Sequence, residues 1–296
     1  MKEYLLKFPE ALQFDVGTAI DEWIKSFSRN HREMLGFIKS GVIASIKGIY
    51  NTLSVIPWWL LILIIVLLGW RISGKKRVGL LYGVMLFFVG SCGLWDHMLE
   101  TLSIVIASVI LSMILGFPTG ILLALNKRID GIVRPVLDLM QTMPTFVYLV
   151  PAVILFSVGM TPALMATTIY AVVPMIRLTS HGINQVDTEV VEAATAFGST
   201  TLQSLLKVQI PQALPTIMTG VNQTIMMAMS MVVTCALIGA SGLGMEILLA
   251  TNRTEMGKAL MPGICIVFIA IILDRLTQGF VDKKGERAFF IRRPLR

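Results

Sequence analysis

Residues Glu192–Pro211 read EAATAFGSTTLQSLLKVQIP. Just upstream, Val186, Val190 and Ala194, with Val191 and Phe197 beside them, recur at helical spacing, while Asp187, Glu189 and Glu192 fall on the remaining face. The spacing predicts a short amphipathic helix. Gly198 ends or sharply turns it, and Thr200–Lys207 makes a second helix. Pro211 then stands at a first-turn position, where its missing N–H costs no hydrogen bond. What decides the fold is the setting of this polar stretch, 177–211, between segments that are apolar and long enough to cross a bilayer.

Those segments dominate the chain. Of 296 residues, 55% are hydrophobic and only 15% charged, against roughly 25% charged in a soluble domain. The mean hydropathy is +0.77. Apolar runs predict about seven spans: Val55–Trp70, 78–94, Leu99–Leu125, 136–158, 162–176, 213–238 and 260–280. The first, VIPWWLLILIIVLLGW, carries Trp58, Trp59 and Trp70 at its ends, where indoles favour the membrane interface. Lys and Arg confirm the alternation: inner loops and the tail with Arg275 hold four, three, two and seven, and outer loops none, none and two. The layout is all-α and polytopic, with the carboxyl terminus inside. It divides into an amphipathic segment 1–54, two additional spans in 55–94, a five-span core in 95–280 and a basic tail 281–296.

The first 54 residues hold seven Lys/Arg and six Asp/Glu, and alternation places them outside. Ile20, Trp23, Ile24 and Phe27 share a helix face, as expected of a helix in the membrane interface or packed on another part of the protein. MKEYLLKFPE lacks a signal-peptide core and is taken as mature sequence. Cys92, Cys235 and Cys265 lie far apart, and His31, His97 and His181 are equally scattered, so neither disulfides, a metal site nor a catalytic triad is expected. The net charge of +7 is expected to mark cytoplasmic loops, with nucleic-acid binding the weaker explanation, and no nucleic-acid partner is expected.

Glu192, Ala193 and Ala194, then Gly198, then Val208, Ile210 and Pro211 have the spacing of the EAA loop of ABC-transporter permeases, and the stretch resembles that loop in its position between two late spans. DLMQTMPTFVYLVPAV, GINQVDTE and IGASGLG extend the likeness from about Trp95 to Thr277, and the chain resembles permeases of glycine betaine and proline-type osmolyte importers. The resemblance implies a type I ABC importer transmembrane fold in a bacterial cytoplasmic membrane. It implies a homodimer, separate ATPase subunits holding ATP and Mg, and a separate substrate-binding protein, with no cofactor on this chain. The loop would carry ATPase closure into the spans, and the cargo would be glycine betaine or a relative such as proline betaine, carnitine or choline. No catalysis is expected of the chain itself.

Within the fourth span, Gln141, Thr142, Met143, Pro144, Thr145, Phe146 and Tyr148 combine polar groups, a helix-bending proline and aromatic rings. Polar groups at membrane depth face a bundle interior or a water-filled path, and a quaternary ammonium ion favours aromatic faces. A hydrogen-bonded tie between helices is the plainer role for Gln141 and Thr142. Asn222 and Gln223 interrupt the sixth span in the same way, and the methionines after them, Met226, Met227, Met229 and Met231, suit adaptable packing. Asp274 and Arg275 suit interfacial anchoring near the inner end of the seventh. GASGLG lacks the ending of a phosphate loop, so Gly239, Gly242 and Gly244 are expected in a tight loop at the outer gate. A stand-alone secondary transporter is the competing reading, but it calls for paired mid-membrane charges or an inverted repeat, and neither is visible.

Overall fold

The computed structural model describes residues 16–290, with side chains from Gly17 to Gly279, and all its regular elements are helical. In chain order they are α1 (Val16–Asn30), α2 (Arg32–Val55), α3 (Trp58–Ser73), α4 (Lys76–Ser91), α5 (Trp95–Leu125) and α6 (Lys127–Thr142). A 3-10 turn (Thr145–Tyr148), α7 (Leu149–Phe156), α8 (Met160–Asn184), α9 (Thr188–Ala196) and α10 (Thr201–Ser204) follow. The chain closes with a π turn (Leu205–Gln209), α11 (Ile210–Cys235), α12 (Leu243–Asn252) and α13 (Met256–Phe290). Residues 1–15 of the predicted amino-terminal segment and the side chains of the basic tail lie outside the described residues.

The centre of the bundle is α8, packed between α5 and α11. Its neighbours come unusually close because Gly116 and Gly120 remove side chains from the contact: a Cβ at Gly120 would stand 2.6 Å from the Thr179 Cβ. The GxxxG spacing thus joins α5 to α8 by backbone approach. Four helices are each long and apolar enough to cross a membrane: Trp95–Leu125, Met160–Asn184, the continuous run Thr201–Ile238, and Met256–Gly279. They contain the third, fifth, sixth and seventh predicted spans, and α8 extends beyond its expected end at Ile176, so the connecting segment begins eight residues later than expected.

Two predicted spans take other forms. The fourth is not straight: α6 and the segment Thr145–Phe156 meet at 113°, because Pro144 has no N–H to continue the ladder and biases Met143 to extended backbone (ψ 136°). Leu137 packs with Leu123, Val173 and Ile176, so α6 lies across the core rather than through it. The first and second spans become a tight hairpin of α3 and α4, with Gly74 (φ 70°) in its turn and Lys76 held 5.0 Å over the Trp70 ring. Each hairpin helix has 16 residues, about 24 Å of rise, which is short for a hydrocarbon core of about 30 Å.

The helix α2 meets α3 at 93°. Leu35, Val42 and Ile46 form its buried stripe. Residues around the α1–α2 joint, Ser28 to Lys39, share a cavity of about 460 Å³ with Ile154–Ser157 at the end of α7. That is the end of the bundle remote from α9. The Trp23 side chain on α1 is 69% exposed, leaving much of the predicted apolar face uncovered by the chain itself.

Candidate coupling element, translocation path and outer loop

The coupling segment folds as its spacing predicts, and each turn has a local cause. Asp187 caps α9 by accepting from the Glu189 N–H at 2.9 Å. Gly198, at φ 82°, takes the left-handed position after the helix: its N–H donates to the Thr195 carbonyl at 2.9 Å and that of Ser199 to Ala194 at 3.1 Å, the paired bonds of a Schellman ending. Thr200 and Gln203 then form a reciprocal capping box. That box, Thr-x-x-Gln, is visible in the sequence and marks where α10 starts.

No residue of α9 is buried. Glu192 and Ala193 are exposed, Ala194 is half-buried, and the Phe197 ring is 92% exposed beside exposed Val190. The apolar side of this helix therefore faces away from its own chain. Val208 and Ile210 are half-buried and Pro211 exposed. Pro211 stands in the first turn of α11, as expected, but the helical run itself already begins at Thr201 and passes through a π turn, where the Ile210 N–H donates to the Leu205 carbonyl, before the proline. Helix α10 is thus continuous with α11, whereas α9 is joined to α10 by the turn at Gly198.

Of the residues expected along a path, Gln141 and Thr142 are exposed at the end of α6, Met143 is half-buried, and Pro144 caps the following turn. Phe146 is 58% exposed. Tyr148 is instead buried: its ring meets Tyr170 edge-on at 5.6 Å, and its hydroxyl donates to the Met140 carbonyl across the bend. It stabilises the 113° break and offers no free face to a cation. The 3-10 turn touches both α8 and α11. Asn222, however, directs its side chain to α13, where its Nδ2 donates to the Asp274 carboxylate at 2.8 Å, and Gln278 donates to the same oxygen at 2.7 Å. Gln223 is exposed. The fourth-span and sixth-span candidates therefore do not form one cluster in this chain, and Asp274 ties two spans together.

Two features escaped the sequence reading. Arg177, expected in the inner loop, sits within α8 and forms an ion pair with Asp138 on α6. The outer segment after the sixth span is not a plain loop but contains α12. Gly239 (φ 78°) and Gly242 (φ 110°) make its turns, and Gly244 is buried against the Val232 carbonyl. The Leu243 N–H donates to the Thr101 hydroxyl at 2.9 Å, which docks α12 on α5. Nearby, His97 lies 3.7 Å from Glu100 and 3.6 Å from Glu246. No group of three metal-ligating side chains occurs among the described residues.

Comparison with known proteins gives this arrangement a context. The chain is 43% identical over 268 residues to the glycine betaine transport system permease protein OpuAB of Bacillus subtilis, covering 90% of this chain and 95% of that one. It is 43% identical over 248 residues to the glycine betaine/carnitine transport permease protein GbuB of Listeria monocytogenes, covering 83% and 87%. With the glycine betaine/proline betaine permease protein ProW of Escherichia coli it shares 43% over 253 residues, 84% of this chain and 71% of that one. Among solved structures, inward-facing forms of the MetNI methionine ABC transporter align with TM-scores of 0.56 and 0.52 at 20% and 21% identity, over 62% and 64% of this chain and 92% of each matched chain. The core fold is that of a type I ABC importer permease. Residues 116–284, which include α8, the coupling segment and α11, match the family described as binding-protein-dependent transport system inner membrane component, and the chain belongs to that family.

Proposed function

We propose that this permease works as a homodimer with two ATPase subunits and a separate extracellular binding protein, importing a compatible solute across a bacterial cytoplasmic membrane. ATP and Mg reside on the ATPase subunits, and this chain performs no covalent chemistry. The relatives named for glycine betaine make it the first candidate cargo, with proline betaine, carnitine or choline sharing its quaternary ammonium head. Such a head donates no hydrogen bond, and the exposed Phe146 ring suits it by cation–π attraction.

The observation that carries the reading is the exposed apolar side of α9, which one tight turn at Gly198 joins to the continuous run from Thr201 into α11. A groove on an ATPase can seat it, and its displacement by ATP binding would move the sixth span directly. With Glu192 through Gly198 at one end of the bundle and Gly239–Gly244 at the other, the chain has the two contact regions that alternating access requires.

The test is purification of the tagged chain in mild detergent, identification of copurifying subunits by mass spectrometry, and uptake of labelled glycine betaine in proteoliposomes. An ATPase at equal stoichiometry and ATP-dependent uptake are expected; uptake undiminished without any ATPase would overturn the reading. Phe197→Ala should leave the melting temperature of the chain nearly unchanged, because the ring buries little within it. ATPase retention should fall about thirtyfold, the loss of a contact worth about 2 kcal/mol.

A further inference from the structure

A groove of about 670 Å³ opens where the inner end of the α3–α4 hairpin meets α13. Ile72, Lys75, Leu81 and Tyr82 line it from the hairpin, and Ile271 and Arg275 from α13. The walls are apolar: Tyr82 is buried, whereas Leu81 and Ile271 are 51% and 37% exposed. Two cations complete the lining. Neither Lys75 nor Arg275 takes part in an ion pair among the described residues. Asp274, the adjoining acid, is engaged by Asn222 and Gln278.

The hairpin supplies the reason for a ligand here. Its helices rise only about 24 Å, so the bilayer must thin or the basic side chains of the turn must reach for headgroups. Arg71, Lys75, Lys76 and Arg77 crowd that turn, and clustered cations between spans at the inner face attract anionic headgroups. A free phosphate would satisfy the cations but leave the apolar walls wet. A zwitterionic lipid would fill the walls but bring its own cation.

From this juxtaposition we infer that the groove binds an anionic phospholipid, its phosphate held by Lys75 and Arg275 and an acyl chain lying along Leu81 and Ile271. The lipid bridges the additional hairpin to the permease core at their inner ends. The inference is independent of the solute carried.

The intact purified transporter is titrated with phosphatidylglycerol and separately with phosphatidylcholine, and retained lipid is counted by native mass spectrometry. Retention of one phosphatidylglycerol per permease chain is expected. The double variant K75Q/R275Q should bind it about twenty-five-fold more weakly, roughly fivefold per cation removed, while a K127Q/R128Q control in the next inner turn binds as wild type. Leu81→Trp, which keeps both cations and fills the wall, should also lose the lipid. Equal retention of phosphatidylcholine, undiminished binding by either groove variant, or displacement by inorganic phosphate alone would overturn the inference. Matched melting temperatures for each variant exclude misfolding as the cause of loss.

Discussion

Gly198 has open space around it, since a Cβ there would meet nothing within 4 Å, yet its φ of 82° is one that a β-branched residue adopts only under strain. Gly198→Val should therefore cost about 1–2 kcal/mol locally and redirect the chain between α9 and α10, without preventing insertion of the spans. Uptake per ATP hydrolysed in proteoliposomes should drop while assembly persists; wild-type coupling in that variant would count against the assigned role. Asn222 is a different kind of residue, polar within a span and bonded to Asp274. Asn222→Ala removes a bond to an acidic side chain, a loss of about 1.5–3 kcal/mol, and Asp274→Asn, which keeps an acceptor, should cost less. Melting of the purified transporter gives the comparison. Equal losses would mean that the pair is not the tie between α11 and α13.

At the scale of elements, α12 shows how a short helix is held at the outer end. Gly242 approaches α5 so closely that a Cβ would stand 2.5 Å from the Thr101 Oγ1, and the next N–H, of Leu243, donates to that hydroxyl. Thr101→Val leaves this buried N–H unpaired and should destabilise the protein by about 1–3 kcal/mol, read as a lower melting temperature; no change would mean that other contacts dock α12. The inner elements work differently. Because α10, the π turn and α11 are continuous, the proposed coupling role makes them a lever on the sixth span. Gly198 and Pro211 were legible in the sequence, since each acts within a few residues; the caps at Asp187 and Thr200 are equally local but escaped that reading. The exposed apolar side of α9 was not legible, because amphipathicity alone does not say whether a helix covers its own core or awaits a partner.

At the scale of the whole molecule, the α1–α2 joint lies beside Ile154–Ser157, at the end of the bundle opposite α9. The described part of the amino-terminal segment and the coupling loop should therefore face opposite sides. In a cysteine-free background, a membrane-impermeant maleimide applied to right-side-out vesicles should label Ser28→Cys and spare Thr200→Cys. Labelling of both or of Thr200→Cys alone would reverse or void the layout. The hairpin of α3 and α4 joins the main core through Leu61, Tyr82, Leu86 and Val89, and touches α13 at Ile72 and Gly279.

The sequence by itself determined the membrane class, the all-helical fold and the turn between α9 and α10. Bilayer thickness dictates the length of apolar runs, charge dictates which turns stay inside, and helix ends are chosen by near neighbours. Only the tertiary structure decided that the bend at Pro144 reaches 113° and that Tyr148 is spent on holding it. It also decided that Asn222 serves Asp274, 52 residues away, and that Thr101 caps α12 across 142 residues. A polar group inside a span must find a partner, but composition does not say whether that partner is a neighbouring helix or a passing solute. Packing chooses between them, through approaches such as that of Gly120 to Thr179 that bring distant segments within hydrogen-bonding reach.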